Sequence, residues 1–186
     1  EKYHTTRFQY LAKLAEVAKA WGFVPKLHGN LAESPVALEA YDTLFGLVAK
    51  STLSPIELQV AYQAINVFHE CEYCAAGHTY LSRMVKMDEA AIQALRNGKP
   101  IADARLQALR SFTEAVVRER GFVGDAAVDA FLAAGFSKAN VLEVVTIAAT
   151  KTISNYTNHI TKTEKEAFMA DPALGWVSPR NRKKAA

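Results

Sequence analysis

The sequence predicts an all-α protein, and three observations carry that reading. Apolar residues recur at steps of three and four through most of the 186 residues. Serine or aspartate N-caps, twice followed by proline, open one segment after another. No stretch alternates with period two over a useful length, and no Asn-Gly or Asp-Gly pair lies between such stretches as a hairpin signal.

Taken in order, Phe8, Leu11, Leu14, Ala15 and Ala18 mark a first helix from about Thr6 to Ala20, stopped by Trp21-Gly22-Phe23-Val24-Pro25. A loop is expected up to Glu33. Ser34-Pro35 then caps a helix carrying Val36, Leu38, Leu44, Phe45 and Val48. Ser54-Pro55-Ile56-Glu57 is a capping box, in which the N-cap serine and the third-position glutamate satisfy each other's backbone N–H groups. The helix it opens runs to about Phe68 and is apolar on most sides, which predicts a buried central element. A cysteine-bearing helix follows, then a short helix capped by Asp88 and closed near Asn97-Gly98. Further helices are expected over 101–120, from Asp125 to Ala134, and from Lys138 to about Thr157 behind Ser137. Residues 160–170 continue the last helix or form another. Positions 1–170 read as one domain, and 171–186 as an extended basic tail.

Half of the residues are apolar, enough for a sizeable core. The net charge of +3 is local to Arg180, Arg182, Lys183 and Lys184, so no nucleic-acid surface is implied. No apolar run approaches the roughly 20 residues of a membrane span. Two cysteines do not make a secreted disulfide scaffold, and a reducing, cytoplasmic compartment is the expectation.

Both cysteines lie in Glu70-Cys71-Glu72-Tyr73-Cys74-Ala75-Ala76-Gly77-His78. On a helix, positions 71, 74 and 78 share one face. At i, i+3 the Cα atoms are roughly 5 Å apart, within reach of a disulfide. The start of the helix favours a thiolate at Cys71, and a histidine one turn on favours one at Cys74. A zinc site lacks a fourth ligand in this segment, and c-type haem attachment needs histidine where Ala75 stands. Thiol redox chemistry, needing a thiolate and a nearby resolving thiol, is the reading with most support. Two inert core cysteines are the alternative. No metal or cofactor is expected.

Leu53-Ser54-Pro55-Ile56-Glu57-Leu58, an apolar helix and then Cys71-Glu72-Tyr73-Cys74-Ala75-Ala76-Gly77-His78 together resemble the carboxymuconolactone decarboxylase/alkylhydroperoxidase D-like family, in its peroxidase-related branch with a CxxCxxxH motif. The likeness extends through Val24-Pro25, Ser34-Pro35, Ala134-Gly135-Phe136-Ser137 and Asn155-Tyr156-Thr157-Asn158-His159. It implies an all-α alkylhydroperoxidase D-like bundle, a homo-oligomer (trimer or hexamer), and a thiol peroxidase reducing hydroperoxides. A dithiol or thioredoxin-like reductant would regenerate the thiols. In the family a glutamate twelve residues before the first cysteine joins the motif histidine in a proton relay; here that position is Gln59. Glutamine orients an imidazole but shuttles no proton.

The expected assignment makes Cys74 the peroxidatic thiol, Cys71 the resolving thiol and His78 the acceptor of the Cys74 proton. Gln59 and Glu57 stand at or near the relay position, with Glu57 also read as a helix cap. His69 is a candidate replacement base. Asn155, Tyr156 and His159 are candidates for the substrate pocket, or for contacts among themselves or with a second subunit. The alternatives are a lactone decarboxylase of the same fold, which does not need two cysteines, and a non-catalytic redox-sensing or interaction protein.

Overall fold

Helix starts fall where the capping signals stand. The computed structural model describes residues 2–185, with side chains from 11 to 183. Phe8, counted above on the first helix, and Lys184 of the basic end lie outside the described side chains. The order is α1 (Lys2–Trp21), α2 (Lys26–Leu31), α3 (Pro35–Val48), α4 (Pro55–Phe68), α5 (Glu72–Met84), α6 (Glu89–Arg96), α7 (Ala104–Arg118), α8 (Asp125–Ala133), α9 (Lys138–Thr161) and α10 (Pro179–Ala185). No strand occurs among the described residues.

At α4 the capping box is complete: Glu57 N–H donates to Ser54 Oγ at 3.2 Å, and Ser54 N–H to Glu57 Oε2 at 2.8 Å. Asp88 and Asp103 cap α6 and α7 through their carboxylates, and Ser137 caps α9 with Asn140 as its reciprocal partner.

Helix α4 is central, packed against α5, α6, α7 and α9. Its Val60, Ala61 and Ile65 are fully buried with Leu109, Val144 and Ile147. Phe112, Phe131 and Phe136 stack in this cluster, with centroids 4.3 and 4.4 Å apart. A second, smaller cluster joins Leu27, Leu31, Leu38 and Tyr41 to Tyr73 and both cysteines.

Two regions depart from the sequence reading. Where a loop was expected before Glu33, Lys26–Leu31 forms α2, a helix too short to show a period. The segment after 170 is not an extended tail. Leu174, Trp176 and Ser178 are buried, and Trp176 Nε1 donates to the Arg96 carbonyl at 2.8 Å. Glu72 accepts from Ser178 N–H and from Asn181 Nδ2 at 2.9 and 2.8 Å. A buried tryptophan and these hydrogen bonds outweigh the solvation of the basic residues, and α10 docks beside α5.

The α4–α5 junction sets the geometry of the site. Cys71 N–H donates to Asn66 O at 2.9 Å and Glu70 N–H to Val67 O at 3.1 Å, a Schellman-type reversal. Glu70 takes the left-handed position, φ 57°, which a non-glycine residue holds only under strain. The turn leaves Cys71 as the N-cap of α5 and Cys74 within its first turn.

Candidate active site

Cys71 and Cys74 are buried free thiols that approach to 3.1 Å. Only Cys74 lines the cavity beside them, about 320 Å³, whose walls include Trp21, Phe23, Tyr41, Phe45, Tyr80 and Phe168. His78 and Lys151 line the same space. The cavity is apolar and aromatic, with its reactive groups at one place.

Burial disfavours a thiolate at Cys74, but it is outweighed. The Cys71 thiol donates to it, Lys151 adds a nearby positive charge, and Asn155 and Asn158 contribute side-chain hydrogen bonds, so its pKa lies below the ordinary thiol value. Asn158 Nδ2 stands 3.1 Å from Cys74 Sγ and 3.7 Å from Cys71 Sγ. Cys71 moves the other way: donating to Cys74, burial and the neighbouring negative charge all raise its pKa. The two opposed shifts favour ionisation at Cys74 over Cys71.

His78 is buried and ordered at both ring nitrogens. Gln59 Oε1 can only accept, so Nδ1–H donates to it at 2.9 Å, and Nε2 accepts from Lys151 Nζ at 3.2 Å. Burial first, and the Lys151 charge second, push its pKa well below the ordinary imidazole value. The ring packs on Tyr62, centroids 4.6 Å apart. Neither nitrogen hydrogen-bonds a cysteine sulfur, so the geometry differs from the expectation of His78 as direct acceptor of the Cys74 proton.

The other sequence candidates divide. Gln59 belongs to the site through His78. Glu57 is held elsewhere: it completes the α4 cap and pairs with Arg105 Nε at 2.8 Å. Burial opposes the Glu57 carboxylate, but the Ser54 N–H and Arg105 hold its pKa below the usual range. His69, the C-cap of α4, donates from Nδ1 to Asn155 Oδ1 at 3.1 Å and does not line the cavity. Burial lowers its pKa, against the Asn155 hydrogen bond. Asn155 is fully buried and also donates to Asn66 Oδ1 at 3.0 Å. Tyr156, 49% exposed, and exposed His159 lie on the outer face of α9, away from the cavity.

Sequence reasoning missed Lys151, whose side chain is 1% exposed. It stands on one face of α9 with Asn155 and Asn158, at steps of four and three. That polar stripe inside an apolar helix was the available signal. Among the described residues, no three His, Cys, Asp or Glu side chains converge to hold a metal. Nor is any single helix long and apolar enough to cross a membrane.

The helical bundle thus holds a buried dithiol beside an aromatic cavity. Residues 35–115, from α3 into α7, match the carboxymuconolactone decarboxylase family. No curated protein matches the chain. Among solved structures it is similar to an alkylhydroperoxidase AhpD core, an uncharacterized peroxidase-related protein from Ralstonia eutropha JMP134, with TM-score 0.78, 19% identity and 90% of each chain covered. A peroxidase-related protein from Silicibacter sp. TM1040 gives 0.74 and 18%, covering 86% of each chain. The debrominase Bmp8 in its apo form gives 0.71 and 17%, covering 89% of this chain and 90% of that one. At these identities the likeness is one of fold.

Proposed function

We propose that the protein is a thiol-dependent peroxidase that reduces organic hydroperoxides through a Cys71–Cys74 dithiol/disulfide cycle. The observation that carries the reading is Cys74, whose surroundings lower its pKa, lining a cavity with a second free thiol beside it. The thiolate attacks the terminal oxygen of ROOH and the O–O bond breaks. Cys74 becomes a sulfenic acid and RO⁻ leaves. Cys71 then attacks Cys74 sulfur; the S–S bond forms, and hydroxide leaves with the Cys71 proton as water. An external dithiol reduces the disulfide by thiol–disulfide exchange, itself becoming oxidised.

The aromatic walls favour a bulky apolar R group over hydrogen peroxide, which gains nothing from apolar burial. Gln59 and His78 orient the site and carry no net proton. A compartment reducing enough to keep both thiols free, such as the cytoplasm, suits the cycle. Leu142, Val145, Tyr156 and Ile160 leave an exposed apolar stripe along α9, which supports self-association as a homo-oligomer.

Steady-state turnover with cumene hydroperoxide and dihydrolipoamide tests the reading, with hydrogen peroxide as comparison. The expected result is turnover over many cycles and a higher kcat/KM for the organic peroxide. A single oxidation without recycling indicates a sensor instead. No oxidation by either peroxide rejects the cycle.

A further inference from the structure

A lysine in a protein interior stays charged only where a counter-charge or strong hydrogen bonds replace its water. Lys151 is 1% exposed, and no carboxylate lies within 4.0 Å of its Nζ among the described residues. Its neighbours are His78 Nε2 at 3.2 Å and the Tyr62 ring, whose centroid is 5.6 Å away. A neutral imidazole and an aromatic face accommodate an ammonium but do not neutralise it. Two groups that can carry negative charge line the cavity with Lys151: Glu166, already held by Lys26 N–H and the Tyr73 hydroxyl, and Cys74.

We propose that Lys151 is the counter-charge of the Cys74 thiolate and the acid that protonates the leaving alkoxide. The inference rests on the peroxidase reading and supplies the step it left open, the fate of RO⁻. With Cys74 as S⁻ and Lys151 as NH₃⁺, attack on ROOH gives Cys74–SOH and RO⁻. Lys151 Nζ then gives a proton to RO⁻, leaving ROH and a neutral amine. Resolution by Cys71 releases water and needs no further proton. Reduction of the disulfide by a dithiol returns two hydrogens, one to Cys71 as thiol and one to Lys151 as ammonium, and the cycle closes.

The arrangement also gives Gln59 a role. A glutamate there would accept the His78 Nδ1 proton as an anion and raise the imidazole pKa. Glutamine accepts the same hydrogen bond without the charge, so His78 remains a neutral acceptor facing Lys151. The proton is thereby kept on the amine, next to the cavity. The other titratable groups around this space do not supply it. Tyr41, Tyr62 and Tyr73 are all raised above the ordinary phenol value, chiefly by burial. Glu166 already accepts from Lys26 N–H at 2.6 Å and from the Tyr73 hydroxyl at 2.8 Å. On α2, His28 is held by Asp42 at 3.1 Å.

Two variants separate charge from acidity. Lys151→Met keeps the length and removes both; Lys151→Arg keeps the charge but is too weak an acid to donate. Thiolate absorbance near 240 nm, followed from pH 4 to 10 on the reduced protein, reads the counter-charge without any peroxide. Its midpoint is expected to rise in Lys151→Met and to stay low in Lys151→Arg. Turnover on organic hydroperoxides whose leaving alcohols differ in acidity reads the acid. Both variants are expected to lose about 10²–10³ in kcat on the poorest leaving group. Both should also depend more steeply on leaving-group pKa than the wild type.

An unchanged thiolate midpoint in Lys151→Met overturns the counter-charge. An unchanged leaving-group slope in both variants overturns the acid. Should Lys151→Met fail to fold, Lys151→Arg still decides the acid, and the wild-type midpoint, if at the ordinary thiol value, overturns the ion pair. Wild-type protein that titrates low but never turns over rejects the peroxidase reading, and the acid with it, while leaving the ion pair standing.

Discussion

Helix α4 serves two interiors of opposite character. On one side Val60 and Ile65 join Leu109, Val144, Ile147 and the stacked Phe112–Phe131–Phe136 rings, a core whose groups require nothing but close packing. On the other, Gln63 and Asn66 are as deeply buried and, with Gln59, face His78, Lys151, Asn155 and Asn158. Polar groups there must find partners inside the protein, and most do: Gln63 Nε2 donates to Ala75 O at 3.1 Å, and Asn66 Nδ2 to Gln63 Oε1 at 3.1 Å. The comparison teaches that this fold assigns stability and chemistry to different faces of one helix. The apolar face tolerates no loss of volume, and the polar face no loss of a partner.

The largest effect expected is at the polar face. Cys74→Ser abolishes dithiol-dependent peroxide turnover while the melting temperature moves little, because serine is nearly isosteric. A Cys74→Ser protein that still turns over would break the division of labour. Next comes the apolar face, where Phe131→Ala costs about 3–5 kcal/mol of stability, measured by urea unfolding. Thiolate titration of the remaining folded fraction should be unchanged, since Phe131 does not line the cavity. Third is pH. Burial holds His78 and His69 below the ordinary imidazole value, and Cys74 lies below the ordinary thiol value. Between each folded and unfolded pKa the unfolded state binds more protons, so stability rises with pH across that window. Each contribution is complete above the unfolded pKa and is lost as pH falls through the folded one. The reduced protein should therefore lose stability on acidification below about pH 6.5, the free imidazole value. Urea midpoints at pH 5, 6 and 7 check this, and a flat profile contradicts it. The smallest effect is at the hinge between the faces: Glu70→Gly relieves the left-handed strain and should stabilise by about 1 kcal/mol. Loss of the exposed Arg180–Glu70 pair subtracts little from that.

Much of this frame was legible because its signals are local. Ser54 and Glu57 announce the start of α4 through a three-residue capping box, and Ser34-Pro35, Asp88 and Ser137 do the same for their helices. Two cysteines at i, i+3 need only the helix to meet. The parts that escaped depend on tertiary context. Six residues of α2 are too few to show a period, and Trp176 gives no local hint that it will bury against α6. On α9 the reading singled out Asn155, Tyr156 and His159, whereas the buried stripe is Lys151, Asn155 and Asn158. One residue is 100° of helix rotation, enough to carry Tyr156 and His159 to the outer face. Lys151 was passed over because lysine in a helix is ordinarily solvated. Only the packing of α9 against α3, α4 and α5 buries it.

The central claim, that Cys74 is the reacting thiolate and Cys71 its resolving partner, is tested most directly by intact mass and peptide mapping. Reduced wild-type protein is treated with one equivalent of cumene hydroperoxide, and Cys71→Ser is treated in parallel with dimedone present. The account predicts loss of two hydrogens and a Cys71–Cys74 crosslink in the wild type, and a dimedone adduct on Cys74 in the variant. Two unmodified thiols in the wild type, or a Cys71 adduct in Cys74→Ser formed as fast as the wild-type crosslink, would contradict it.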